Sequence, residues 1–233
     1  FVQLVKCRAE SCFSVMKRWN RRSDFYLQRF PFLCVGTRMV SEHDVLSRAR
    51  EALERNQFKV LLASSKEDAA DKVLRLIPID AKVGVGGSTT IRELGLIEAL
   101  ARRGNRVVHH WLQGVPFSEW LSFMMEAHNS DVYLCSSNAV TEDGKLLNVD
   151  STGNRVASMI FGPKEIIVVA GKNKIVKDVE AGLKRLKEVA GPLNAKRHNL
   201  VELPCVSTGF CTDCASPKRI CRVTTIMERA PNR

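Results

Sequence analysis

The chain contains no apolar run near the roughly 20 residues that a membrane-spanning helix needs, and its apolar fraction is an ordinary 45%. A helical membrane span is excluded. It also lacks a basic surplus spread along its length. The net charge is +11, but residues 1–38 hold eight basic side chains against Glu10 and Asp24 and so carry +6 of it. The rest of the chain keeps only +5, and a nucleic-acid partner is set aside on that distribution. No Gly-Lys-Ser/Thr follows a glycine-rich turn and no complete G-x-G-x-x-G appears, so the P-loop and dinucleotide fingerprints are both missing. No lysine or cysteine stands in an obvious nucleophile motif. At 233 residues the chain is long enough for one sizeable domain and an appendage.

The first 38 residues mix Cys7, Cys12 and Cys34 with the basic cluster and Phe30-Pro31-Phe32, without a sustained amphipathic period. They show no single apolar core of the kind a secretory signal carries. Met39 opens a clean helix start, with Ser41 as N-cap and Asp44 three residues on, close to a capping box. The expected organisation is a basic extension over 1–38 outside the domain, an α/β domain over 39–200 and a cysteine-rich segment over 201–233. Residues 39–233 alone are expected to fold, and the location to be cytoplasmic.

From Met39 onward helical and extended patterns alternate. Helices are expected over 42–56, from Ser64-Ser65 to Pro78, and over 91–103, 116–127 and 176–190. Strands are expected over 58–63, 82–85, 106–109, 132–135 and 164–170. Strands separated by helices of this length imply a mostly parallel sheet covered on both faces. One hairpin interrupts the alternation, where Thr141-Glu142-Asp143-Gly144 joins two short apolar runs and Asp-Gly is a strong turn signal. Glu142 and Asp143 are thus either a catalytic pair or polar turn residues.

Gly84-Val85-Gly86-Gly87-Ser88-Thr89-Thr90 lies between a strand and a helix. Glycine allows close backbone approach to a ligand, a helix N-terminus favours an anion, and the hydroxyls add donors. Gly86, Gly87, Ser88, Thr89 and Thr90 are therefore candidate ligand contacts at the carboxyl edge of the sheet, where open α/β folds bind ligands. A tight turn capped by Ser88 or Thr89 is the plainer reading. Arg155 and Lys172 to Lys174 face either an anion or solvent. His109-His110 reads as structural, and Trp111, Trp120 and Phe123 as core or groove lining.

Cys205-x5-Cys211-x2-Cys214-x6-Cys221 crowds four thiols into the C-terminal segment, among Pro204, Gly209 and Pro217. Cysteines so close in sequence can surround one zinc ion or an iron–sulfur cluster. Free thiols or disulfides are the alternatives, and disulfides need an oxidising compartment. Only Cys211 and Cys214 have the pair spacing of a zinc knuckle, and the uneven loops suit a [4Fe–4S] cluster better.

VGVGGSTTIRELGL (83–96), SNAVTEDG (137–144) and NVDSTGNR (148–155), followed by FGPKEIIVVAGKNKIVKDVEAGLKRLK, resemble the LUD domain of LutC-type lactate-utilisation proteins, and most of all its cysteine-ended branch. The resemblance covers roughly 40–230. It implies a fold related to the NagB/RpiA/CoA-transferase group, with the glycine-rich turn as a phosphate or substrate contact on Gly86, Gly87, Ser88 and Thr89, and added weight for Glu142 and Asp143. It further implies work on lactate or a related small organic acid with an electron-transfer partner. The alternative is a non-redox enzyme or binding module for a phosphorylated or CoA-linked metabolite, with structural zinc.

Overall fold

The computed structural model describes residues 2–7, 42–111 and 115–232. Met39 and the Ser41 cap lie outside the described residues. The main sheet has six strands in the order β2-β1-β8-β5-β3-β4: β1 (Val2–Cys7), β2 (Lys59–Ala63), β3 (Val83–Val85), β4 (Val107–Val108), β5 (Val132–Cys135) and β8 (Glu165–Gly171). β8, β5, β3 and β4 run parallel, and β1 pairs antiparallel with both β2 and β8. Those six residues fall in the stretch expected to stand outside the domain, and here they sit between two strands of the sheet.

Alternation along the central strands sends side chains to two cores. Val132, Leu134, Ile167 and Val169 pack with α2 (Lys66–Leu76), α3 (Thr89–Glu93) and α4 (Leu96–Arg102) on one face. Tyr133, Cys135, Ile166 and Val168 meet α1 (Glu42–Arg55), α5 (Phe117–His128) and α6 (Asn154–Ile160) on the other. These strands are apolar on both sides because both faces are covered. The α/β expectation holds. Ser65 starts α2 as foreseen, its hydroxyl accepting from the Asp68 amide at 3.1 Å.

Two expected helices are divided. The 91–103 helix breaks at Gly95, whose φ of +62° ends α3 and opens α4. The 176–190 helix becomes α7 (Val179–Arg185), a π-helical turn at Leu186–Ala190 and α8 (Gly191–Arg197). Periodicity does not distinguish a π turn from an α turn over five residues.

The hairpin belongs to a second, four-stranded sheet that the alternation did not foretell. Its order is β10-β7-β6-β9, with β6 (Ala139–Thr141), β7 (Leu146–Asp150), β9 (Ile175–Val176) and β10 (Val223–Met227). β10 follows the last cysteine and pairs antiparallel with β7 over five residues. The cysteine segment is therefore anchored at both ends, by α9 (Pro204–Thr208) and by β10.

Candidate functional site

β3, β5 and β8 end on one edge of the main sheet, and the segments leaving them line a cleft of about 1040 Å³. Gly87–Thr90 follows β3, Ser136–Asn138 follows β5, and Asn173 and Lys174 follow β8. The glycine-rich turn is thus where the sequence expected a ligand edge. An added Cβ at Gly86 would lie 2.7 Å from the Tyr133 hydroxyl, whereas at Gly87 it would meet nothing nearer than 3.8 Å. Gly86 is needed for packing, and Gly87 opens to the cleft. Ser88 is buried and its hydroxyl caps α3 by accepting from the Ile91 amide at 3.2 Å, the plainer of its two readings. Within this turn, Thr89 and Thr90 offer their hydroxyls to neighbouring cations.

Those cations come from distant parts of the chain. Lys174 donates to the Thr90 hydroxyl at 3.0 Å and the Ser136 hydroxyl at 2.6 Å. Arg197 of α8 donates to the Thr89 hydroxyl at 2.6 Å, and Arg185 of α7 to the Asn138 carbonyl at 2.7 Å. Burial, with Arg185 and Arg155 nearby, pushes the Lys174 pKa down to about 8. Burial also lowers the pKa of Arg185 and of Arg197, the latter aided by Arg92.

Arg155, at 5% exposure, forms the floor. It donates to Asp150 at 2.8 Å, to the Asn138 side chain at 2.8 Å, and to the carbonyls of Ser136 and Val149 at 2.8 and 3.0 Å. Its charge is spent on Asp150, so its part is to clamp β7 to the loop after β5. Next to Gly87 stand His110, Trp111 and Trp120, with His110 centroids 5.6 and 6.0 Å from the two indoles. Arg92 covers Trp111 at 5.5 Å. Burial, then His109, His198 and Arg197, push the His110 pKa down to about 4, so its ring is neutral at pH 7.

Glu142 and Asp143 do not line this cleft. Arg48 of α1 donates to the Glu142 carboxylate at 2.9 Å. Asp143 pairs with Lys145 at 2.9 Å and accepts from the Thr141 hydroxyl. The structure places both acids in the polar turn, with cationic partners already in contact.

Cys205, Cys211, Cys214 and Cys221 are free thiols, and all four line one small cavity of about 70 Å³ walled by Leu183, Leu186, Leu203 and Ile220. Among the described residues, no three His, Cys, Asp or Glu side chains are grouped as a metal-ion site. Burial and the three neighbouring thiols hold the Cys205 pKa above its ordinary value. Arg219 staples the loop, donating to the carbonyls of Cys214 at 3.0 Å and Cys221 at 2.9 Å, and pairs with Asp213 at 2.8 Å. The Asp213 amide donates to the Cys211 sulfur at 3.3 Å.

The two cavities are neighbours. Val149, Gly191, Ile220 and Cys221 border both, and the π turn divides them, with Leu186 and Lys187 on the cysteine side and Val189 and Ala190 on the cleft. Sequence reasoning singled out the glycine-rich turn, Arg155, Lys174 and the cysteines. It passed over Arg185, Arg197, Ser136 and Asp150, which carry no local pattern and gain meaning only from the fold.

Neither a curated protein nor a solved structure matches the chain. A family model does, that of the LUD domain, over residues 46–233, a span that takes in the glycine-rich turn, the cationic cleft and all four C-terminal cysteines. The chain belongs to the LUD domain family.

Proposed function

We propose that this protein works in the oxidation of lactate or a related small organic acid, binding an anionic metabolite in the cleft beside a [4Fe–4S] cluster held by Cys205, Cys211, Cys214 and Cys221. The LUD domain family is associated with lactate utilisation. The observation that carries the redox reading is that Cys221 borders both the cysteine cavity and the cleft. A ligand in the cleft would lie against the wall of the cysteine site.

The donor set fits a cluster better than an ion. Zinc held at about 2.3 Å by four thiolates draws the sulfurs to within about 3.8 Å of one another. Here the four cysteines line one small cavity, and their uneven spacing along the chain suits a cluster better. The Asp213 amide donating to the Cys211 sulfur is a contact that tunes iron–sulfur sites. When bound, a cluster supplies one-electron exchange, for which a redox partner protein is the expected recipient. The chain's own part is to hold the thiolates, exclude water with Leu186 and Leu203, and present the cleft ligand next to Cys221. Free cysteines fit a reducing, cytoplasmic setting.

The second reading, a non-redox enzyme or binding module for a phosphorylated or CoA-linked metabolite with structural zinc, draws support from the surplus of cations in the cleft. Purification of the full chain without oxygen, with an absorption spectrum and iron, zinc and sulfide analysis, decides between them. A broad band near ~400 nm with about four iron per chain, lost on Cys→Ser at any of the four positions, is the expected result. A colourless protein with one zinc would overturn it in favour of the second reading.

A further inference from the structure

The cleft's charge and size bear on what it binds, apart from the cysteine question. Five cations and two carboxylates line it, and each carboxylate is held by one of the cations: Glu93 by Lys66 at 3.2 Å and Asp150 by Arg155 at 2.8 Å. Lys174, Arg185 and Arg197 are left. Their hydrogen bonds among the described residues run to hydroxyls, a side-chain amide, carbonyls and the His198 ring, not to carboxylates. Lys174 keeps its charge against burial first and then against Arg185 and Arg155 beside it, and an anionic ligand at these groups offsets both costs.

A lone carboxylate of one charge does not match three cations. A terminal phosphate carries about −1.5 to −2 at neutral pH, so two linked phosphates balance the set. Two guanidinium forks and one ammonium point charge are also the donor types used for phosphate oxygens. At about 1040 Å³ the cleft reaches the upper end of the roughly 300–1,000 Å³ range of pockets for drug-sized ligands, far more room than lactate fills. The glycine-rich turn is flanked by the cations at Thr89 and Thr90 and by His110 and Trp111 at Gly87. Trp120 completes an aromatic wall within the same cleft, a surface suited to a planar ring. The His110 Nε2 is the ring nitrogen that faces Gly87, 3.8 Å from where a Cβ there would stand, and His110 lines the cleft beside that wall.

We propose that the cleft takes a nucleoside diphosphate-like ligand, with its phosphates on Lys174, Arg185 and Arg197 and its planar ring against Trp111 and Trp120. This deepens the phosphorylated-metabolite reading and rests on the cleft being the ligand site, not on which metal the cysteines hold.

The test is calorimetric titration of the full chain with ADP, inorganic pyrophosphate, adenosine and lactate. ADP is expected to bind at least tenfold more tightly than lactate. Pyrophosphate should retain most of that affinity and adenosine little of it. Arg197→Met and Lys174→Met should each weaken ADP about tenfold. Gly87→Leu, which points a side chain into open cleft, should block ADP while leaving the melting temperature near that of the parent. Lactate binding as tightly as ADP, or ADP binding indifferent to both Arg197→Met and Gly87→Leu, would overturn the proposal. The outcome separates from the redox reading. A colourless protein that binds ADP keeps this inference and removes the cluster, and a brown protein indifferent to ADP does the reverse.

Discussion

The cleft and the cysteine cavity share a wall but are built in opposite ways. The cleft gathers side chains from segments as distant as Lys66 and His198, is rich in cations and is wide. The cysteine cavity draws its four thiols from the seventeen residues between Cys205 and Cys221, is small and has apolar walls. A site assembled across a sheet depends on every strand keeping register. A site whose thiols all come from one loop depends first on that loop and its two anchors, with α7 and the π turn supplying wall alone. Damage to the sheet edge should therefore disable the cleft first.

The largest expected effect comes from Arg155→Met. Arg155 and Asp150 are a nearly buried pair, at 6% and 10% side-chain exposure, and removing one partner leaves the other charge buried and uncompensated. The loss should be about 3–5 kcal/mol, read by urea denaturation. Anion binding in the cleft should vanish in the surviving folded fraction, while its cysteine loop, stapled by Arg219 to the carbonyls of Cys214 and Cys221, should keep the parent's iron or zinc content. Equal loss of metal would show that the two sites are a single cooperative unit.

A smaller effect separates two adjacent glycines. Gly86→Ala drives a methyl group against the Tyr133 hydroxyl and should cost about 1–3 kcal/mol, as overpacking does. Gly87→Ala meets only ordinary contacts and should stay within about 0.5 kcal/mol of the parent, again by urea denaturation. A Gly87→Ala as destabilising as Gly86→Ala would mean that the turn is scaffold throughout and presents no open face to a ligand.

The same contrast explains what could be read from the chain alone. The cysteines announce themselves because all four ligand candidates fall within a few turns of backbone. The parallel sheet is legible because strands buried on both faces, such as 132–135, leave unbroken apolar runs. The second sheet is not, since β9 and β10 are short, carry mixed burial and find partners far away in sequence. Arg185 and Arg197 sit on helices whose charged residues look like any solvated face. Nothing local tells that the fold brings Arg185 to the Asn138 carbonyl beyond β5 and Arg197 to the Thr89 hydroxyl beyond β3. Glu142 and Asp143 show the converse, since their turn is plain from the chain while the Arg48 side chain beside Glu142, ninety-four residues earlier, is not.

The smallest expected effect sharpens the comparison most, because the two regions should answer to pH with opposite sign. Lys174 has its pKa lowered from 10.5 to about 8, so in the free protein it loses its charge as pH rises through about 8. Pyrophosphate affinity should fall across that interval by up to about tenfold, as expected for losing one cation worth about 1.4 kcal/mol. Lys174→Arg should flatten the profile, since guanidinium stays charged. Stability should move the other way. Between about 8 and 10.5 the unfolded chain still holds a proton that the native state has released, so unfolding becomes harder as pH rises, relative to Lys174→Met. At the cysteines the thiols must lose protons to bind metal, and the Cys205 pKa is raised by its burial and its neighbours. Metal affinity there should increase over the same range in which anion affinity in the cleft declines. A parallel decline in both would mean that the shared wall at Cys221 transmits the state of Lys174 to the thiols, and that the cleft governs the cysteine site instead of merely adjoining it.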